Sequence, residues 1–238
     1  KIIPDYTMEA GARSVKKLLD TLWRTAAVKL VKKEDGDLTV TEKNLSEYLG
    51  RKQMNHEHKL QDPQPGVVTG LAWTRGGGEI LFIESKLTKG KGNLLITGQL
   101  GDVMKESVQI ALSLVKSLYP EEARKLENQD LHIHVPAGAV PKDGPSAGIT
   151  LVTALASLLT DKPADPDCAM TGEVSLRGNV MPIGGLPEKL MAAQRAGISR
   201  VFIPYENTED LEDVADEVKD KLEIIPVKKV TDVLGRLL

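Results

Sequence analysis

A serine and a lysine, each in the first turn of a helix-forming segment, are the residues of this chain whose placement suggests covalent chemistry. Ser146 follows the string Pro141-Lys-Asp-Gly-Pro and precedes small residues and an apolar run. Because Pro145 suits a first helical turn, Ser146 is predicted at a helix N-terminus, where backbone N–H groups can stabilise an oxyanion. Serine is also a common helix cap, so a structural cap is the alternative.

A lysine in a second such segment could serve as the base that a nucleophilic serine needs. The string Gly184-Gly-Leu-Pro-Glu-Lys189 puts the lysine in a first helical turn, where the helix dipole disfavours an ammonium. An amine whose pKa is lowered by burial can accept a proton near neutral pH. Most lysines are solvated surface groups, and that is the alternative for Lys189.

Other serine hydrolase patterns fail on order or on companion motifs. Residues 144–148 satisfy G-x-S-x-G, but that class of hydrolase places its histidine after the serine. All four histidines precede Ser146: His56, His58, His132 and His134. The S-x-x-K pattern occurs at 14–17 and 113–116, in both cases without the S-D-N and K-T-G elements of penicillin-binding enzymes.

The first 55 residues are predicted to form a small helical unit. Apolar residues recur at steps of three and four across 7–33: Met8, Val15, Leu18, Leu19, Leu22, Ala26 and Leu30. Gly36 ends this helix, residues 38–40 are predicted to be extended, and Thr41 is expected to cap a second helix. The proline-containing stretch 56–66 predicts a linker, so we expect domains at 1–60 and 66–238.

Beyond residue 66, short β-branched runs alternate with helix-forming segments. Strands are predicted at 67–69, 79–87, 94–97, 130–135, 169–176, 201–203 and 224–227. Helices are predicted at 102–118, 146–160, 187–196 and 230–238. The early strands follow one another before any helix, which argues against a regular βαβ repeat. The predicted fold class is therefore an α+β (mixed α/β) domain preceded by a small all-α subdomain.

Composition narrows the class of protein further. The 238 residues carry a net charge of −3, so the whole-chain balance requires no nucleic acid or acidic membrane as partner. A single cysteine, Cys168, excludes an internal disulfide. No apolar run of about 18 residues and no leader pattern occur, so neither a membrane span nor a secretory signal is predicted. The missing initiator methionine suggests a piece of a longer chain.

Taken together, these strings resemble the proteolytic domain of the ATP-dependent Lon proteases. The resemblance is carried by Pro-Lys-Asp-Gly-Pro-Ser146-Ala-Gly, by Met-Thr-Gly-Glu173, by Gly-Gly-Leu-Pro-Glu-Lys189 and by the 43-residue step from serine to lysine. It implies a serine endopeptidase in which Ser146 attacks the peptide carbonyl and Lys189 is the general base. It also implies that Thr171 holds the lysine amine by a hydrogen bond.

The same resemblance assigns further residues to the surroundings of the site. Glu106, His132, His134 and Asp143 match family positions there, and ordinary structural contacts are the alternative for each of them. The strand that ends near Trp73 could offer its edge to an extended substrate. Ala137 departs from the family, many of whose members carry glutamate at that position.

Residues 1–55 resemble the small helical lid of the ATPase module in the same family. Within them, the segment that ends at Arg13 resembles the one whose arginine senses nucleotide phosphate. No G-x-x-x-x-G-K-[ST] loop occurs, so we expect no cofactor in this fragment, and ATP with magnesium in its parent. The resemblance further implies unfolded protein substrates, a homo-hexameric ring, and the bacterial cytoplasm or an organelle matrix.

Two weaker signals and three rival functions remain open from the sequence. His132 and His134 share a strand face, but no third ligand at matching spacing follows, so no metal site is predicted. Seven basic residues against one acid in 13–33 would suit a nonspecific DNA contact. The rivals are a catalytically silent Lon-like ring scaffold, a nucleic-acid-binding module, and another Ser-Lys hydrolase such as an amidase.

Overall fold

Two compact units make up the chain. The computed structural model describes residues 1–7, 11–32, 39–52, 58–74, 76–136 and 141–238. One unit comprises Lys1–His56 with Thr74–Gly77, and the other comprises Glu57–Trp73 with Gly78–Leu238. The predicted mixed α/β class with helical structure at the N-terminus is confirmed, whereas the domain boundaries at 60 and 66 stay predictions. Among the described residues, none of the helices combines the length and the apolar character of a membrane span.

The first unit contains the helices α1 (Ile2–Tyr6), α2 (Arg13–Val31) and α3 (Leu45–Leu49). Its core consists of Tyr6, Leu22, Leu45 and Tyr48, with Leu18 and Ala26 packed against it. The predicted apolar face of α2 is partly wrong, since Leu19 and Leu30 are 43% and 64% exposed. The short helices α1 and α3 cover only a narrow stripe of α2. Met8, Gly36 and Leu38 of the prediction lie outside the described residues.

The prediction that Thr41 caps the second helix is wrong, because Thr41 lies in a turn before α3. Its backbone N–H donates to Asn44 Oδ1 over 2.7 Å, and Asn44 itself occupies the N-cap position. The helix therefore begins three residues later than the sequence pattern suggests.

Apart from Thr74 and Gly77, the described strands lie in the second unit, together with six of the described helices. The strands are β1 (Val67–Thr74), β2 (Gly77–Lys89), β3 (Leu94–Thr97), β4 (Gln129–His134), β5 (Cys168–Met170), β6 (Glu173–Val174), β7 (Val180–Met181), β8 (Arg200–Pro204) and β9 (Glu223–Val227). The helices are α4 (Asp102–Leu118), α5 (Lys125–Asn128), α6 (Gly148–Thr160), α7 (Leu186–Ala196), α8 (Asp216–Lys219) and α9 (Val230–Leu237). Short 3₁₀ segments occupy Glu122–Arg124, Pro145–Ala147 and Tyr205–Asp213.

Seven strands form one sheet in the order β3-β4-β2-β1-β5-β8-β9, and β6 pairs with β7 separately. The pair β2–β4 is antiparallel. The pairs β3–β4, β1–β5, β5–β8 and β8–β9 are parallel. Alternate residues of β8 serve two cores: Phe202 packs in the cluster of α4, α6 and α9, and Val201 in that of α7 and α8. Helices thus cover both faces of the sheet, and α6, which contacts both α4 and α9, is buried along almost its whole length.

The predicted strand at 169–176 is two strands in different sheets. The chain leaves β5 after Met170, and Thr171 N donates to Phe202 O over 3.1 Å. Gly172 N then donates to Ser146 O over 2.8 Å. These bonds to distant segments turn the backbone before β6, and no local sequence pattern encodes them.

We predict that a methyl group at Gly66 destabilises the second unit. Gly66 has φ +85°, and an added Cβ would lie 2.5 Å from Ser85 O. Its N–H donates to Ser157 Oγ and its carbonyl accepts from Ser85 N. Gly66→Ala should therefore lower the free energy of unfolding by about 2–4 kcal/mol in urea denaturation.

Gly197→Ala is the matched control for this prediction. Gly197 has φ +82° but no atom within 4 Å of an added Cβ. Only the backbone penalty should appear there, about 1 kcal/mol. Equal losses at the two glycines would show that the crowding at Ser85 has no energetic effect.

Candidate active site

Ser146 lies in the 3₁₀ turn Pro145–Ala147 that leads into α6. It is half-buried, and its carbonyl accepts a hydrogen bond from Gly172 N over 2.8 Å. In return, Ile149 N donates to Gly172 O over 3.0 Å. Hydrogen bonds in both directions thus join the first turn of α6 to the segment after β5. The predicted position of Ser146 at a helix N-terminus is confirmed.

Asp143 anchors the segment before Ser146 by accepting hydrogen bonds from two backbone N–H groups. Its Oδ1 accepts from Met104 N over 3.0 Å and from Gly144 N over 2.9 Å. Met104 is the third residue of α4, so this carboxylate caps a helix from a distant segment and meets the positive end of its dipole. Gly101 N also donates to Lys142 O over 2.8 Å. Asp143 therefore holds the chain that delivers Ser146.

Lys189 lies in the first turn of α7 and is only 2% exposed. Its Nζ donates to Thr171 Oγ1 over 3.1 Å. Burial lowers the pKa of this amine from 10.5 to about 8, and the neighbouring Glu188 carboxylate opposes that change. A substantial fraction of Lys189 is therefore neutral near pH 8, and a neutral amine keeps its lone pair while it donates an N–H.

Thr171 connects the other two residues. Its side chain is fully buried, and Oγ1 donates to Ser146 O over 3.4 Å while it accepts from Lys189 Nζ. The ends of three elements, β5, α6 and α7, meet at this hydroxyl. Within the described residues the hydrogen bonds of Ser146 and Lys189 meet at Thr171, and none joins Ser146 Oγ to Lys189 Nζ directly.

His132 and His134 form a cluster with Thr97, a residue that the sequence analysis missed. Thr97 Oγ1 lies 2.9 Å from His132 Nε2 and 2.7 Å from His134 Nδ1. Thr97 stands opposite His134 in the parallel pairing of β3 with β4, and only that register could have revealed it. Across the ranges that the structure describes, no group of three His, Cys, Asp or Glu residues could hold a metal ion. Glu106 is exposed on α4.

Trp73 lies near the end of β1 and is 57% exposed. It packs beside the turn before α7, since a Cβ added to Gly185 would lie 2.8 Å from the indole ring. The strands β1 and β5 pair at Gly70 and Met170. Because Met170 is the last residue of β5, the following residues of β1 run past its end, toward the turn that carries Thr171.

The comparisons with known proteins match both parts of the chain. Residues 39–238 match the model of the Lon protease (S16) C-terminal proteolytic domain, and residues 1–39 match that of the Lon protease AAA+ ATPase lid domain. This chain belongs to the Lon protease family. Lon protease of Clostridium beijerinckii is 56% identical over 239 residues, that of Mycoplasma mycoides 51% over 236, and that of Brucella suis 50% over 240. These alignments cover 98–100% of this chain but 30% of each relative.

The predicted DNA contact of residues 13–33 is not supported. At 100° per residue, the basic side chains of α2 lie on several sides of the helix rather than along one face. Arg13, Lys17 and Arg24 share one side. Lys29 lies on the opposite side, 3.8 Å from Glu47.

The match to an ATPase lid raises the question of a nucleotide. Arg13, the predicted phosphate sensor, is exposed at the first residue of α2. A G-x-x-x-x-G-K-[ST] loop is absent from the sequence. These residues alone do not fit a nucleotide site. Ala137, where the sequence departs from many Lon members, lies outside the described residues.

Lys189→Met should stabilise the protein at neutral pH. Because the folded state lowers the pKa from 10.5 to about 8, the unfolded state binds more protons between these values. Stability therefore rises as the pH increases from 8 to 10.5, and the full cost of burial, about 3 kcal/mol, applies below pH 8. Urea denaturation at pH 7 should show a gain of up to about 3 kcal/mol in the variant.

Lys221→Met provides the control, because Lys221 is exposed. It should leave the free energy of unfolding almost unchanged at both pH 7 and pH 10. A Lys189→Met variant with the same pH dependence of stability as the wild type would contradict the buried, destabilised ammonium.

Proposed function

We propose that this chain is the peptidase portion of an ATP-dependent Lon protease, with Ser146 as nucleophile and Lys189 as general base. The observation that carries the proposal is the chain of hydrogen bonds from Lys189 Nζ through Thr171 Oγ1 to the Ser146 carbonyl. This chain of hydrogen bonds supports Lys189 as a base beside the serine, because the Lys189 amine is buried and its pKa is about 8.

The chemistry follows from the protonation state of Lys189. The neutral amine takes the proton of Ser146 Oγ, and the oxygen attacks the peptide carbonyl to form a tetrahedral oxyanion. The resulting ammonium then protonates the leaving amine as the C–N bond breaks, which leaves an acyl-enzyme ester on Ser146. The neutral Lys189 amine next takes a proton from the water that hydrolyses this ester. Backbone N–H groups near Ser146 stabilise the oxyanion. Thr171 keeps the amine aimed at the serine throughout.

The other predicted site residues act indirectly in this proposal. Asp143 holds the serine segment against α4, and His132 and His134 brace β3 against β4 through Thr97. No contact of Glu106 in the described part of the chain supports a role for it. The edge of β1 near Trp73 pairs with an extended substrate backbone beside Thr171.

The wider expectations belong to the same proposal. Substrates are unfolded or damaged proteins, because only an extended chain can lie along a strand edge. By its resemblance to Lon, the parent protein is a cytoplasmic homo-hexameric ring that uses ATP and magnesium, with Arg13 sensing the nucleotide. A silent scaffold is disfavoured, because it would have no need for the buried lysine at position 189.

Hydrolysis of unfolded casein and of a fluorogenic peptide, without ATP, tests the dyad. Ser146→Ala and Lys189→Ala should each reduce the rate by at least about 10³-fold, since they remove the nucleophile and the base. Thr171→Val should lose about 10–100-fold, because the lysine amine is no longer held. Thr171→Ser keeps the hydroxyl and should retain most of the activity.

Circular dichroism controls for folding, and each alternative has its own outcome. Full activity of Lys189→Ala would overturn the lysine as base. Cleavage of the peptide but not of casein would favour a small-amide hydrolase. If neither this chain nor the parent with its ATPase module cleaves either substrate, the scaffold would be the better account.

A further inference from the structure

The loop before α7 needs support from outside its own sequence. Residues 182–185 read Pro-Ile-Gly-Gly, and Lys189 N donates to Gly185 O over 3.2 Å, so the lysine lies one turn beyond this loop. Gly185 has φ +69°, and Gly184 has open space around it. Glycines leave the backbone many conformations, so contacts elsewhere must select the one that places Lys189.

Asn207 makes those contacts from the 3₁₀ segment Tyr205–Asp213. It is 4% exposed. Its Oδ1 accepts from Ile183 N over 3.0 Å, and its Nδ2 donates to Ile183 O over 2.8 Å. The same Nδ2 donates to Asp210 Oδ2 over 2.6 Å. Because a carboxylate only accepts, Asp210 fixes which end of the amide faces each group of Ile183.

The helix that follows is held by a second contact, at its side. Arg195 Nη2 donates to Gly78 O over 2.7 Å, and a Cβ on Gly78 would overlap the carbonyl of Glu188. The backbone beside Lys189 is therefore packed tightly against the start of β2. Asn207 holds Ile183, in the loop from which the chain enters the first turn of α7.

We propose that Asn207, oriented by Asp210, is a positioning residue that holds the 182–185 loop and so keeps the Lys189 amine buried against Thr171. This inference rests on the proposed function, and Asn207 acts on the reaction through Lys189. Without the hydrogen bonds from Asn207 to Ile183, the first turn of α7 shifts and water reaches the Lys189 amine. Gly185, which packs beside Trp73, moves with the same loop, so substrate binding weakens as well.

A loss of burial has a measurable effect on Lys189. Burial is the largest cause of its low pKa, and Glu188, on the same helix, is the charged group that acts on the amine and raises the pKa. Thr171, which faces it from the end of β5, is uncharged. Hydration therefore returns the pKa toward 10.5, and less neutral amine is present at pH 7.5.

The test compares Asn207→Asp and Asn207→Ala with the wild type. The aspartate has the same shape but turns an oxygen toward Ile183 O and the Asp210 carboxylate, and the alanine removes all three bonds. The acidic limb of kcat/KM for peptide hydrolysis should move up by about one pH unit in both variants, which lowers activity at pH 7.5 about tenfold. At pH 10 most of the kcat should return.

Ser157→Ala is the matched control for lost stability. Ser157 is fully buried and also makes two hydrogen bonds to backbone, with Gly66 N and Lys162 O, but it lies near the far end of α6 from Ser146. It should lower Tm without moving the pH profile. Asn207 variants that lose Tm in the same way and keep the wild-type profile would overturn the proposal.

A titration of ¹³C-labelled lysine separates this inference from the proposed function. The Lys189 resonance, assigned by its loss in Lys189→Met, should titrate near 8 in the wild type and higher in both Asn207 variants. An unmoved titration overturns the positioning role. If the wild type hydrolyses nothing, the catalytic proposal fails by itself, and with it the role of Asn207 in catalysis. If both Asn207 variants fail to fold, Asp210→Ala, which keeps the Ile183 contacts, should show a smaller upward shift.

Discussion

The burial of the Lys189 amine beside the Thr171 hydroxyl is the interaction on which the rest of the site depends. An ammonium in this position is unfavourable, which is why the amine titrates near 8 rather than 10.5. The hydroxyl that receives it also reaches the Ser146 carbonyl. Burial therefore sets the protonation state of Lys189, the proposed base, and the Thr171 hydroxyl places its amine beside the Ser146 segment.

A destabilising group stays buried only if the surrounding structure holds it there. Each of the three segments that meet at Thr171 is anchored by hydrogen bonds to a residue that is distant in the sequence. Asp143 bonds the serine segment to the first turn of α4, Phe202 O receives the Thr171 N–H, and Asn207 grips the backbone of Ile183. The sheet and the helices on its two faces supply these anchors.

Much of this arrangement could be predicted from local sequence, and the remainder could not. Proline and glycine before Ser146 and Lys189 correctly indicated two helix N-termini, because those residues have strong local backbone preferences. The split of 169–176 into β5 and β6, the cap that Asp143 gives to α4, and the pairing of Thr97 with both histidines depend on contacts between distant segments. Asn207 lies in a polar 3₁₀ segment without any pattern, and the exposure of Leu19 and Leu30 depends on how little α1 and α3 cover.

The most direct test of the account is the rate at which a fluorophosphonate acylates Ser146 as a function of pH, with the modified residue located by mass spectrometry. The account predicts a rate that rises with pH around a midpoint near 8 in the wild type. In Lys189→Met, acylation should be slow and the midpoint absent. An unchanged rate and pH dependence in Lys189→Met, or modification of a different residue, would contradict the claim that the buried amine of Lys189 activates Ser146.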